Sequence, residues 1–532
     1  MVDLRSRRQW IPQLRAVDLP QGVTIALIVA IAMGIFFRVF RLGHDLFWVD
    51  EVYTTFNSAG YTTQDIAALF QPPRLLTAQG LLTALQVTGD RGLTDVFRSL
   101  ITEDTTHVPL YYAVTHYWVQ GFGSSVVALR SPAALFSLVS VGGMALLARS
   151  LFQSWGMALL AAALMAVSPF HVLYAHEARP YSLWLLMTVV SSGLLVRSRS
   201  RPHSLTWVGY GLSVSLGLYT FLYMPLVVAA QALYVLLAER GRWTPVVRRC
   251  AVALVGSGAS FVPWLVAIAP YRDNLTGNTR WQVQPASAGP LSLIHNLGLT
   301  LARGFVDIDP AVAFWRDRDW LSGLLILAVV AGVVASFGLL IRRTRFDQWG
   351  LPLLLVVVPA GAIVALELVI GQQQSGIPRY FTPCYVGIEL AVAAALYSLL
   401  QSARRRMGMI LLGVLIAVGI LSGIQGAIAA TGWHKSGDYI LAATAEINAA
   451  NQPFVLLDSD AWSIAFAHHL APETPLLLFN SGLVFPAPPA GYGRYFVVHP
   501  TPEWIDSYAE VSGYTLRSLE GLETAPVWEI EP

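Results

Sequence analysis

VVALRSPAALFSLVSVGGMALLARSLFQSWGMALLAAALMAVSPFHVLYAHEARPYSLWLLMTVVSSGLLVRSRSR, residues 126–201, decides the fold class. It holds three apolar runs, at 126–148, 154–175 and 180–197. Each is close to the roughly 20 residues a helix needs to cross the hydrocarbon core of a bilayer. Arg149 closes the first run, and Arg197, Arg199 and Arg201 close the third. Between the second and third runs lies a polar knot, Ser168-Pro169-Phe170-His171 to Ala175-His176-Glu177-Ala178-Arg179-Pro180-Tyr181, in a connection too short to be a domain.

The same texture extends in both directions. Further apolar runs lie near 20–38, 204–221, 222–239, 249–269, 320–341, 350–370, 380–400 and 407–428, for about eleven transmembrane helices. The stretch 202–238 has no Asp, Glu, Lys or Arg and is read as two short spans broken near Pro225. Over all 532 residues, 55% are hydrophobic and 12% charged, and the mean hydropathy is +0.56. A soluble domain carries about 25% charged residues, so too little polar surface is left for a water-facing exterior. The net charge of +2 is not pooled in any patch suited to nucleic acid. Cys250 and Cys384 each sit at or in an apolar run, which leaves no disulfide framework and no zinc spacing.

Arginine clusters recur every second span: Arg149; Arg197 to Arg201; Arg240, Arg242, Arg248 and Arg249; Arg342, Arg343 and Arg345; Arg404 to Arg406. With the basic N-terminus (Arg5, Arg7, Arg8, Arg15) they fit one cytoplasmic side. The expectation is a multi-pass protein of the cell (inner) membrane with a cytoplasmic N-terminus. The opposite side receives 39–125, 175–180, 270–319, 371–379 and everything after 429. On this parity the run His107–Gly121 is a juxtamembrane helix, not a span. The basic, then apolar, start is read as an uncleaved first span. After 430 the texture changes. A helical stretch at 436–450 precedes strand-like runs at 454–459, 475–479, 495–500 and 525–530, punctuated by Pro and Gly. The predicted organisation is a helical membrane domain, 1–429, whose outer loop is 39–125, and a small extracytoplasmic α/β domain, 430–532. There is no internal repeat and no low-complexity segment.

Ionisable groups at or inside a membrane are costly and therefore mark candidate sites. Asp50 and Glu51, in FWVDE, sit among aromatics about ten residues after the first span and suit a general base; a solvated loop acid beside interfacial aromatics has the same appearance. His107, in HVPLYY, falls where Pro109 starts a helix, and helix N-termini favour anions. His171, His176 and Glu177 belong to the polar knot. They make a poor zinc site, since adjacent residues diverge on a helix. Arg379, in Pro378-Arg379-Tyr380, and Arg130, at the outer start of 126–148, can fork onto a phosphate or simply anchor a span end. Glu367 and Glu389 are read as buried helix–helix contacts.

Taken in order, FWVDE, HVPLYY, ALRSPAALFSLVSVGGMALLARSLF, SPFHVLYAHEARPYSL and PRY resemble the GT-C glycosyltransferases of family 39. That group includes dolichyl-phosphate-mannose protein mannosyltransferases and bacterial aminoarabinose transferases of lipid A. The resemblance covers about 20–240 well and 350–440 loosely. It implies a GT-C fold and an inverting transfer from a polyprenyl-phosphate-linked sugar to a lipid, glycan or protein acceptor. Asp50, with Glu51 close by, would be the base. Arg130, Arg179, Arg379 with Tyr380, and Lys435 in GWHKSGDYI would hold the donor phosphate. His107, Glu177, His176 and Tyr181 would shape the substrate pocket. No cofactor is expected; arginines suffice for a monophosphate leaving group, and a divalent ion is compatible with them. The chain departs from the family pattern at Val108-Pro109 (usually a double proline), His176 (usually Gln) and Phe221 (often His). An extra stretch at about 61–100, containing Pro72-Pro73 and Asp90-Arg91, is a further departure. These departures bear on the sugar and acceptor. A transporter or flippase of lipid-linked sugars is the alternative, but it should show duplicated halves, and the motifs here are asymmetric.

Overall fold

The computed structural model describes residues 19–531 except 88, 202, 280–288, 310–314, 316, 317, 372 and 483. The N-terminal arginines Arg5, Arg7, Arg8 and Arg15 lie outside the described residues.

All eleven apolar runs fall on helices. Among the described residues, eight helices are long and apolar enough to cross a membrane: Gln21–Val39, Val126–Phe152, Tyr181–Ser200, Pro245–Tyr271, Asp319–Arg343, Phe346–Ile370, Pro378–Leu400 and Arg405–Ile428. A ninth is broken: Trp155–Val167 and Pro169–His176 meet at 60°. The break falls at Ser168-Pro169, where proline supplies no N–H to the helix ladder. The two runs on either side of Pro225 form helices of 15 residues each, Ser204–Leu218 and Met224–Ala238. Each is shorter than the roughly 20 residues of a span. Leu110–Phe122, which covers most of the run His107–Gly121, is a helix of 13 residues, also shorter than a span. The chain is a multi-pass membrane protein.

Its residues form two compact units. The first comprises Met1–Leu42, Thr105–Tyr111 and Arg130–His434, and holds the long helices. The second comprises Gly43–Asp104, Tyr112–Leu129 and Lys435–Pro532. Most of the segment 39–125 therefore belongs with the C-terminal residues.

In the first unit, glycines let helices approach backbone to backbone. A Cβ on Gly387 would lie 2.2 Å from the Pro352 carbonyl oxygen, so Thr382–Leu400 packs directly on Phe346–Ile370. Such close approach replaces the hydrophobic drive that lipid cannot provide.

The second unit is built on a six-stranded sheet in the order β1-β3-β2-β4-β6-β5: β1 Arg74–Thr77, β2 Pro453–Asp458, β3 Pro475–Phe479, β4 Arg494–Val498, β5 Thr515–Ser518 and β6 Val527–Glu531. Strands β2, β3 and β4 are parallel, and their continuous apolar runs are those of strands buried on both faces. Phe454, Leu456, Phe479, Val497, Trp504, Tyr508 and Ile530 form the core. Strand β1, from the segment before the second long helix, pairs antiparallel with β3 and covers an edge that would otherwise present unpaired backbone groups.

Gly387→Ala should lower the unfolding temperature of the detergent-solubilised protein, by about 1–3 kcal/mol of overpacking cost. Gly361→Ala, where a new Cβ meets nothing within 4 Å, should leave it unchanged or slightly raised.

Candidate active site

In the second unit, Asp50 and Glu51 open the helix Val49–Ala59, whose first turn favours negative charge. They do not point the same way. Glu51 is fully buried, with Lys435 Nζ at 3.5 Å from its Oε2 and both side chains at 0% exposure. Lys435 also donates to the Leu46 carbonyl at 2.9 Å. The lysine expected at the donor phosphate therefore has a carboxylate partner beside the expected base. Asp50 is only half-buried. The approach to this helix is fixed by Phe47, whose N–H donates to His469 Nε2 at 3.1 Å and whose ring lies 4.1 Å from that of His468.

In the first unit, the helix break at Pro169 delivers the polar knot. Ser168 to Pro180 are all buried. His176 Nε2 lies 2.7 Å from the Phe37 carbonyl oxygen and His171 Nε2 lies 3.1 Å from Glu389, so the two histidines are held by different helices. Glu177 is fully buried. Arg179 Nη2 lies 2.7 Å from His107 Nε2, joining two motifs 72 residues apart. Arg379 is in the short turn Pro378–Phe381, its guanidinium 5.6 Å from the centre of the Tyr181 ring and 5.8 Å from that of Tyr380. The Glu177 carbonyl accepts the Arg179 N–H at 2.7 Å. His107, Glu177, Arg179, Tyr181, Arg379 and Tyr380 are thus brought together. Phe221 joins them, its ring centre 5.6 Å from Tyr181 and 6.4 Å from Tyr380. Arg130 is fully buried and donates to the Leu42 carbonyl at 3.0 Å. Glu367 accepts from the N–H and hydroxyl of Ser375, a turn-closing role. Among the described residues, no three His, Cys, Asp or Glu side chains converge as a metal would require.

Two features escape the sequence reading. Arg38, inside the first span, donates to Ser137 Oγ and to the carbonyls of Gly34, Met165 and Ala166. The second is the loop after Pro290–Ala302. There Asp307 accepts from Trp433 Nε1 at 2.6 Å and Gln425 Nε2 at 2.9 Å, while Arg303 lies 4.2 Å from the Trp433 ring centre. Burial pushes the Asp307 carboxyl up to about 6, and neighbouring Asp309 adds to this. The run RGFVDID, 303–309, with a cation and two acids after an apolar helix, was the available signal.

Residues 106–266 match the sequence profile of the family described as dolichyl-phosphate-mannose-protein mannosyltransferase. No characterised protein sequence matches the chain. Among solved structures, the chain is similar to ArnT from Cupriavidus metallidurans bound to undecaprenyl phosphate, with 13% identity, a TM-score of 0.54, and coverage of 96% of this chain and 98% of that one. The apo state of the same protein gives a TM-score of 0.51 at 13% identity, with coverage of 96% and 97%. The Archaeoglobus fulgidus oligosaccharyltransferase in the apo form gives 0.48 at 13% identity, covering 87% of this chain, which spans 65% of that protein's length. The fold is therefore the GT-C fold, and residues 106–266 carry the sequence profile of the mannosyltransferase family.

Lys435→Met should strand the buried Glu51 charge and destabilise the protein by about 3–5 kcal/mol, whereas adding Glu51→Gln should recover much of the loss. Thermal unfolding of the two variants tests this. For Asp307, the folded pKa is raised, so ionisation costs stability as pH climbs from about 4 through about 6. The unfolding temperature of Asp307→Asn relative to wild type should rise across that window and level off above it.

Proposed function

We propose that the chain transfers a sugar from a polyprenyl-phosphate donor to an acceptor hydroxyl, with inversion, on the extracytoplasmic side of the cell membrane. The observation that carries this reading is the meeting of buried Arg179 and Arg379 with Tyr181, His107 and Glu177 beside a broken membrane helix. Fixed guanidinium groups in a poorly solvated site favour a departing phosphate more than a bound one. The relatives support the choice of donor: one is bound to undecaprenyl phosphate, and the family is named for dolichyl-phosphate-mannose.

In this mechanism Asp50 takes the proton of the acceptor hydroxyl. The acceptor oxygen bonds to the anomeric carbon as the bond from that carbon to the phosphate oxygen breaks. The polyprenyl monophosphate leaves on Arg179 and Arg379, with Tyr380 beside them. Lys435 pairs with Glu51 and so fixes the helix that carries Asp50. His107, His176, Glu177 and Tyr181 shape the sugar pocket, and Arg130 secures the start of its helix. The polyprenyl chain enters sideways from the bilayer, where each buried CH₂ contributes about 0.8 kcal/mol. No metal is required for this step. The alternation of arginine clusters supports a cytoplasmic N-terminus and an extracytoplasmic C-terminal unit.

With protein in nanodiscs and a radiolabelled polyprenyl-phosphate sugar, Asp50→Asn should slow transfer by about 10²–10⁴-fold, the usual worth of a general base, while leaving the unfolding temperature nearly unchanged. Full activity would remove Asp50 from that role. Arg379→Ala should raise the donor KM; an unchanged donor dependence would leave this arginine as an anchor.

A further inference from the structure

The stretch 61–100 that departs from the family pattern builds more than an edge strand. Directly after β1 it forms the helix Ala78–Ala84, and this helix lines a cavity of about 310 Å³ within the second unit. Gln79, Leu82, Leu85 and Gln86 of that stretch contribute to its wall. The facing wall includes Val52, Thr55 and Phe56 of Val49–Ala59, the same helix that carries Asp50. Ser124, Ser125 and Leu129 and, from the C-terminal residues, Ile464 and His468 complete it.

The chemistry of this wall is selective. Among the described residues, no Asp, Glu, Lys or Arg lines the cavity, so its described wall offers no fixed charge to a phosphate, a carboxylate or an ammonium group. The buried members, Val52, Phe56, Leu85 and Leu129, are apolar. The more exposed ones, Thr55, Gln79, Gln86 and Ser124, carry hydroxyl and amide groups. A cavity of this size, mostly apolar with a few convergent neutral donors and acceptors, is a small-ligand site. A pyranose has the matching character: apolar C–H faces and a rim of hydroxyls that both donate and accept.

We propose that this cavity binds a neutral, non-reacting sugar unit of the acceptor. The proposal rests on the glycosyltransferase reading above and makes the acceptor a glycan. The extra stretch is then the element that gives this chain its acceptor specificity, since without it the cavity loses one wall. Thr55 lies five residues from Asp50, roughly 7.5 Å along the helix axis. A sugar unit held there is thereby registered to the rigid element that presents the base.

The test uses the full-length protein in protein-bounded nanodiscs, free of sugar-based detergent. Saturation-transfer NMR with neutral hexose and N-acetylhexosamine disaccharides should show binding to wild type and equally to Asp50→Asn, which separates recognition from turnover. Ser124→Trp, which fills the cavity, should abolish the signal. Gln86→Ala, which only removes an amide from a part-exposed position, should weaken binding about tenfold, the worth of one good hydrogen bond. Inorganic phosphate and glucuronate should not compete. Absence of disaccharide binding to wild type, an undiminished signal in both cavity variants, or competition by the anions would overturn the assignment. Loss of the proposed transfer reaction with binding intact would instead count against the catalytic reading alone.

Discussion

The buried guanidinium of Arg38 is the constraint on which the membrane unit depends. A helix broken at Ser168-Pro169 leaves carbonyls without partners in a medium that has no water to supply. Arg38 donates to two of them, Met165 and Ala166, and through Ser137, whose hydroxyl reaches the His171 carbonyl, it also touches the far side of the break. The arrangement requires contact between Gln21–Val39 and Trp155–Val167 at backbone distance. Gly34 permits it, because a Cβ there would lie 2.1 Å from the Ala166 oxygen. His176 then docks on the Phe37 carbonyl of the same helix. The first helix is thus the strut that turns a costly interruption into a fixed platform for Glu177, Arg179 and Tyr181.

The charged side chains of the molecule are held in different ways. Arg38, Arg130, Glu367 and Lys435 have backbone or side-chain partners that close helix ends, join helices or lock a turn. Arg179 lies beside His107, and Arg379 beside the Tyr181 and Tyr380 rings. Rings contribute cation–π attraction and bring no charge of their own. Phe221, where a histidine is common in the family pattern, fits this economy, since it extends the aromatic surround without adding a charge.

Much of this was legible from residues. The apolar runs fall on helices, nine of them spans by length and hydropathy among the described residues if the broken pair counts as one, while the two runs near Pro225 are shorter than a span. The strands β2, β3, β4 and β6 announce themselves as short apolar runs between Pro and Gly. β1 and β5 do not. Arg74–Thr77 and Thr515–Ser518 are largely exposed edge strands, whose pairing is set by the sheet they join and not by their own pattern. Arg38 stayed hidden because an arginine at a span end reads as an anchor. Its partners are carbonyls, which have no sequence signature. Asp307 stayed hidden because its partner Trp433 is 126 residues away.

The adjacent acids Asp50 and Glu51 show most plainly what spacing alone cannot tell. In the sequence they read as a pair. On a helix, neighbours are set about 100° apart, so one helix cannot turn both toward the same space. Glu51 goes inward to Lys435, and the ion pair closes the start of the helix against the first residue of the C-terminal segment. Because breaking a buried pair costs far more than it contributes when intact, the two charges hold each other in place. Asp50 is carried on that fixed helix start, set by the neighbour that the sequence made look like its twin.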